Sequence, residues 1–297
     1  MRSLLSHFTL LAATAALAAP ALAQQATLDK IKDTGSITLA YRESSIPFSY
    51  LDDKAQPVGF GVDICDRVLE DIKKTTGRAD LKVARQAVTS ANRIPLLVNG
   101  TIDLECGSTT NNSDRAKQVT FAINYFYTGT RFLVKSDSGI KGLADLNNKI
   151  VVSTTGTTNF RIMRNLFTEQ KLPIELIAAK DHAESALLVQ TGRAAAFAMD
   201  DILLFGLRAS AQNPAELAVV GEPLQVEPYA IMLRKDDPAF KKLVDGTLAG
   251  LMKSGEFEKL YRKWFMSPIP PKGINLNAPM GKELSDNLKA LSDKPAT

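Results

Sequence analysis

Short apolar runs alternate with segments of helical periodicity along most of this chain, and the alternation comes in two blocks. In the first block, after a short helix at 28–34, residues 36–41 (SITLAY) read as a strand. Apolar side chains then recur at Val62, Cys65, Val68, Leu69 and Ile72, the i, i+3, i+4 spacing of an amphipathic helix, and Gly77 marks its end. A strand at 81–83, a helix at 92–98 and a strand at 102–106 complete the block. The second block repeats the pattern with strands at 149–153, 174–178 and 195–199 and helices at 159–170, 184–190 and 202–210. Alternation of this kind predicts an α/β fold of mostly parallel sheets flanked by helices, with ligands at the carboxyl ends of the strands.

Two extended crossings separate the blocks. Residues 125–130 (YFYTGT) lead into a strand at 131–134, and 225–229 (QVEPY) lead into one at 230–233. If both are inter-domain crossovers, residues 131–224 form a small domain inserted into a large one made of 24–130 plus 225–297, with hinge strands near 126–130 and 225–229. Two ordinary strands of a single sheet are the alternative. A chain of 297 residues is long enough for two modest cores. From Pro268 onward the tail is punctuated by prolines and is expected to wrap the surface. The 45% hydrophobic and 23% charged composition excludes a disordered or collagen-like chain. With 36 basic against 32 acidic residues and no basic block, nothing points to nucleic acid.

The first 23 residues have one charge, Arg2, an apolar stretch at 8–19, and a small-x-small site at Ala21-Leu22-Ala23. That is the pattern of a cleavable secretory signal, the stretch being too short for a stable membrane span. The mature chain, 24–297, is expected to work in the periplasm, with His182 as its one histidine. No Cys follows the cleavage site, so no lipid anchor is expected. Cys65 and Cys106 lack metal-ligand spacing, and in an oxidising compartment they read either as a disulfide or as two buried thiols.

Enzyme signatures are missing: there is no Gly-x-Ser-x-Gly elbow, no His-Glu-x-x-His, no phosphate loop and no dinucleotide fingerprint. Instead, a run of small polar residues follows the third strand, GSTTNNSDR at 107–115, ending in Arg115, whose planar fork suits a carboxylate. A second polar loop, STTGTTN at 153–159, joins a strand to a helix, where free N–H groups favour an anion. Two such loops in opposite domains can face one cleft. Taken singly, each residue has a plainer reading: a surface Arg, Asp200 as a helix cap, His182 as a helix-start residue.

Taken together, the residues at 42–50, 89–97, 105–112, 179–182 with Ser185, 199–201, 232–238, 263–265 and 268–271 resemble the periplasmic solute-binding proteins, family 3, of ABC importers for polar amino acids, and within them the glutamate/aspartate-binding proteins. The resemblance implies a two-domain periplasmic-binding-protein-like (type II) fold with the ligand in the inter-domain cleft. It implies Arg115, Thr110 and Thr158 on the ligand α-carboxylate, and Asp200 and Ser108 on its ammonium. Arg42, Ser90, Arg93 and His182 would take the side-chain carboxylate, with His182 as a pH handle near neutrality. It also implies capture without chemistry, delivery to a membrane permease, a monomer, and no cofactor or metal. A dehydratase-like enzyme, for which Glu43 is the nearest spare carboxylate, and a ligand-delivery component of a sensory receptor are the alternatives.

Overall fold

The computed structural model describes residues 25–296, so the secretory signal expected at 1–23 lies outside the described residues. The first sheet begins with α1 (Thr27–Thr34) leading into β1 (Ser36–Tyr41). A small three-stranded sheet follows, formed by β2 (Ser44–Ser45), β3 (Ser49–Leu51) and β4 (Pro57–Val58). Helix α2 (Phe60–Thr76) buries Phe60, Ile64, Cys65, Val68 and Ile72 along one face and ends where Gly77 turns left-handed at φ 70°. Next come β5 (Lys82–Ala87), α3 (Arg93–Val98), β6 (Leu104–Glu105) and β7 (Val119–Phe121). Strand β5 runs longer than its apolar centre predicts, because Ser36 to Tyr41 of β1 pair with it along its whole length. Strand β6 is shorter than predicted, two residues pairing with β1 before the chain turns into the polar loop.

The chain then crosses. Strand β8 (Phe126–Thr128) leads into the second sheet, built from β9 (Thr130–Lys135), β10 (Ile150–Thr154), β11 (Glu175–Ala179), β12 (Ala196–Asp200) and β13 (Leu217–Val220), with α4 (Thr158–Glu169), α5 (His182–Gln190) and α6 (Asp201–Ser210) between strands. It returns through β14 (Glu227–Tyr229) to β15 (Met232–Arg234), which inserts between β6 and β7 of the first sheet. The orders are β5-β1-β6-β15-β7 and β11-β10-β12-β9-β13. In each, one strand runs against the other four, and it is the strand that has just arrived from a crossing, β15 or β9. The crossings pair with each other antiparallel, Glu227 opposite Thr128 and Tyr229 opposite Phe126.

Aromatic packing anchors this ribbon to the first sheet's side. Phe126 stacks on Phe265 at 5.1 Å, and Phe48 meets Tyr229 edge-on at 5.1 Å. Phe265 ends α8 (Glu256–Phe265), which follows α7 (Pro238–Ser254). Cys65 of α2 and Cys106, one residue past β6, form a disulfide with Cα atoms 6.1 Å apart. It closes a sequence separation of 41, worth about 4 kcal/mol in the chain-entropy picture.

The tail is more ordered than its prolines suggest, since it contains α9 (Lys282–Ala290), which buries Leu284 and Asn287. Beyond α9 the chain lies along the loop after β6. Asn111 donates to Asp293 O at 2.8 Å, Asn124 to Lys294 O at 2.8 Å, and Ala296 N to Asn111 O at 2.9 Å. Among the described residues no helix is long and apolar enough to cross a membrane.

Candidate ligand site between the two sheets

The segments that leave the carboxyl ends of β5, β6, β10, β11 and β12 converge on one cleft, as expected where parallel strands stop. There they enclose a narrow space walled mostly by polar side chains. Eight of the nine residues singled out in the sequence line this space: Ser90, Arg93, Ser108, Thr110, Arg115, Thr158, His182 and Asp200. Thr157, Asn159 and Met199 complete the wall. Arg42 stands one layer behind, where its Nη2 donates to Ser90 Oγ at 2.9 Å and to His182 Nε2 at 3.2 Å. Glu43 is exposed and is not among the residues that line this space.

Arg42, which follows the last residue of β1, is 2% exposed, and its Nη1 has no partner. Arg93 opens α3, is also 2% exposed, and lies 4.0 Å from Glu105 with its Nε unpartnered. Two neighbouring buried guanidiniums, each with a free donor, suit an anion. Burial, reinforced by the Arg93 charge, pushes Arg42 down to about 9, which leaves it charged at neutral pH.

Arg115 is a third buried guanidinium on the same wall, near enough to Arg93 that burial and then the Arg93 charge push it down to about 9. Its Nη1 donates to Thr110 O at 2.9 Å, and its Nη2 reaches across the cleft to Gly156 O at 3.2 Å. Gly156 belongs to the loop between β10 and α4, whose first turn is capped by Thr157 accepting from Phe160 N at 3.0 Å. Thr157, Thr158 and Asn159 at that helix start line the same space as Arg115, where a helix N-terminus favours an anion.

Asp200 and Asp201 divide the work at the start of α6. Asp201 accepts from Ile202 N at 2.7 Å and from the Thr128 hydroxyl at 2.7 Å. Asp200 makes no side-chain cap; its carboxylate accepts from Asn159 at 2.7 Å and from the Tyr229 hydroxyl. Burial, then the nearby charge of Glu227, pushes its carboxyl up to about 8.

His182 departs from its expected role as a pH handle. Its ring is fully buried, and burial together with Arg42 and Arg93 holds it well below its ordinary value, so it stays neutral. Arg42 can only donate, so Nε2 accepts and the proton sits on Nδ1, 2.9 Å from Thr154 Oγ1. The chain of hydrogen bonds continues from Thr154 through Ser185 Oγ at 2.9 Å to Asp181 O at 2.9 Å, one hydrogen per link.

Three buried groups beside the site escaped the sequence reading. Glu105 ends β6 and accepts from Thr109 at 2.5 Å; Glu227 and Tyr229 lie two apart on β14 and so point to the same face. All three are fully buried. A carboxylate or phenol in a short strand carries no motif, and only Pro228 between them hinted at anything unusual there.

Residues 37–267 match the profile of the bacterial extracellular solute-binding proteins, family 3. The chain is 48% identical to the L-glutamate/L-aspartate-binding protein of Pseudomonas aeruginosa over 95% of this chain and 94% of that one. It is 49% identical to the glutamate/aspartate import solute-binding protein of Escherichia coli K12, covering 94% of this chain and 90% of that one. Among solved structures, it resembles an ancestral amino acid-binding protein described as a precursor of cyclohexadienyl dehydratase, with a TM-score of 0.69 and 28% identity over 80% of this chain and 99% of that one.

Proposed function

We infer that this chain, which belongs to the bacterial extracellular solute-binding proteins, family 3, captures an acidic L-amino acid, glutamate or aspartate, and delivers it to the membrane permease of an ABC importer. The observation that carries the acidic specificity is the pair of buried guanidiniums, Arg42 and Arg93, present in addition to Arg115. Glu105 offsets one of these two charges, so a neutral side chain such as that of glutamine leaves the other without a counter-charge in a dry space, a penalty of several kcal/mol.

In this reading Arg115 and the start of α4 receive the α-carboxylate, and Asp200 with Ser108 the ammonium. Arg93 on the wall meets the side-chain carboxylate directly. Arg42 adds its field from behind, aimed by Ser90 and by the neutral His182. The two sheets belong to two domains, 24–130 with 225–297 and 131–224, which close by bending at the ribbon of β8 and β14. Closure buries a ligand that bridges Arg115 and Asp200, and the closed form is what the permease recognises. The chain works as a periplasmic monomer after removal of residues 1–23 and performs no covalent chemistry. Micromolar affinity needs about 8 kcal/mol net, which three paired ligand charges supply after the cost of ordering and closure.

Calorimetry with L-glutamate, L-aspartate and L-glutamine is the test. The wild type is expected to bind the two acidic ligands at least a hundredfold more tightly than glutamine. Arg93→Ala is expected to abolish acidic binding with an unchanged circular dichroism spectrum. Glutamine binding as tight as glutamate, or an Arg93→Ala variant of unchanged affinity, rejects the assignment.

A further inference from the structure

We propose that Glu227, on the returning crossing strand, is a positioning residue that ties Thr110 to Thr158 across the cleft and thereby sets how long a captured ligand is retained; this rests on the capture function inferred above. The side chain of Glu227 is fully buried, and it lies outside the wall of the enclosed space. Its Oε2 receives the hydroxyl of Thr110 at 2.6 Å and that of Thr158 at 2.5 Å, while Oε1 receives the side-chain amide of Gln225. Thr110 comes from the loop after β6 of the first sheet and Thr158 opens α4 beside the second, and their oxygens are 3.4 Å apart. One carboxylate oxygen, carried by the crossing ribbon itself, is thus the shared acceptor of a group from each side.

Two consequences follow from the chemistry of a hydroxyl. Each has a single hydrogen, and both are committed to Glu227, so toward anything else Thr110 and Thr158 present lone pairs. That suits them to receive a ligand ammonium rather than to donate to a carboxylate, and leaves the carboxylate to Arg115 and the backbone N–H groups of α4. Moreover, hydrogen bonds to an ionised acceptor are the strong kind, and opening the cleft strips at least one of them from a buried carboxylate. Glu227 therefore resists opening, whether or not a ligand is present.

The test combines stopped-flow release of L-glutamate with spin-label distances across the cleft. Glu227→Ala is expected to speed release about tenfold, and Glu227→Gln, which keeps the shape and one acceptor oxygen, to recover part of that loss. If Glu227 acts through Thr158, the same replacement in a Thr158→Val background speeds release less than threefold. In the ligand-free protein Glu227→Ala is expected to shift the distance distribution toward longer values. Unchanged release, a full tenfold effect in the Thr158→Val background, or an unchanged ligand-free distribution overturns the proposal. Should Glu227→Ala not fold, Glu227→Gln carries both measurements with the same sign. A wild type that fails to bind L-glutamate rejects the capture function instead, and the ligand-free distances still decide the role of Glu227.

Discussion

Gly156 shows how much a single missing carbon can decide. Its φ of +79° is one that L side chains avoid, and a Cβ there would lie 2.6 Å from Ala91 Cα, in the loop on the opposite side of the cleft. Gly77 has a similar φ of +70° but nothing within 4 Å of such an atom. The two separate strain from obstruction. Gly77→Ala is expected to lower unfolding stability by about 1 kcal/mol and leave binding alone. Gly156→Ala adds to the same strain a collision that props the cleft open, so L-glutamate binding by calorimetry should weaken at least tenfold. Gly156 was legible only as part of a polar loop, since its contact partner is 65 positions away in sequence. Arg93, Arg115, Thr158 and Asp200 were legible only as a set, since each has a plainer reading taken singly and it is the resemblance to the family that implies their role. Glu105, Glu227 and Tyr229 were not, because inside strands their polarity looked like ordinary alternation, and what they touch is set by tertiary packing.

At the scale of elements, the start of α4 does three things at once. It lines the enclosed space, donates the Thr158 hydroxyl to Glu227, and one turn later sends Arg161 to Asp114 in the loop after β6. Asp114, exposed and shared with Lys117, is held below the usual carboxylate range by hydrogen bonds from Lys117 and Arg161. This rim pair spans the cleft mouth in water, where such contacts are weak and screened. Arg161→Ala is therefore expected to weaken L-glutamate binding only about two- to threefold, and the difference from wild type should shrink between 20 mM and 500 mM salt in calorimetric titrations. Elements with long one-faced periodicity, such as α2 and α4, were legible within a residue or two. Strand β6 was not, because only Leu104 and Glu105 pair with β1 although β1 runs on past them at both ends, nor was α9, which buries only Leu284 and Asn287.

For the molecule as a whole, the buried titrating groups set a pH profile. The Asp200 carboxyl rises from about 3.8 in the unfolded chain to about 8 in the ligand-free fold. Between those values the unfolded state has released a proton that the native state keeps, so stability falls as pH rises toward 8. His182 is lowered instead, so stability also falls as pH drops through 6.5 and only the unfolded ring takes up a proton. Denaturant unfolding of the ligand-free protein should thus lose about 1 kcal/mol from pH 6.5 to pH 8. Saturating L-glutamate, whose ammonium favours ionised Asp200, should flatten that decline. A decline unaffected by ligand would separate Asp200 from the ammonium. The place of β15 in the first sheet bears on how the molecule is made. Every strand of the second sheet lies between Thr130 and Val220, an unbroken stretch, whereas the first sheet needs Met232–Arg234 to fill the gap between β6 and β7. As the chain emerges from its N-terminus, the later-starting sheet can reach its full strand order first. The one that begins the sequence must wait, half assembled and with β6 and β7 unjoined, until nearly four-fifths of the chain has appeared.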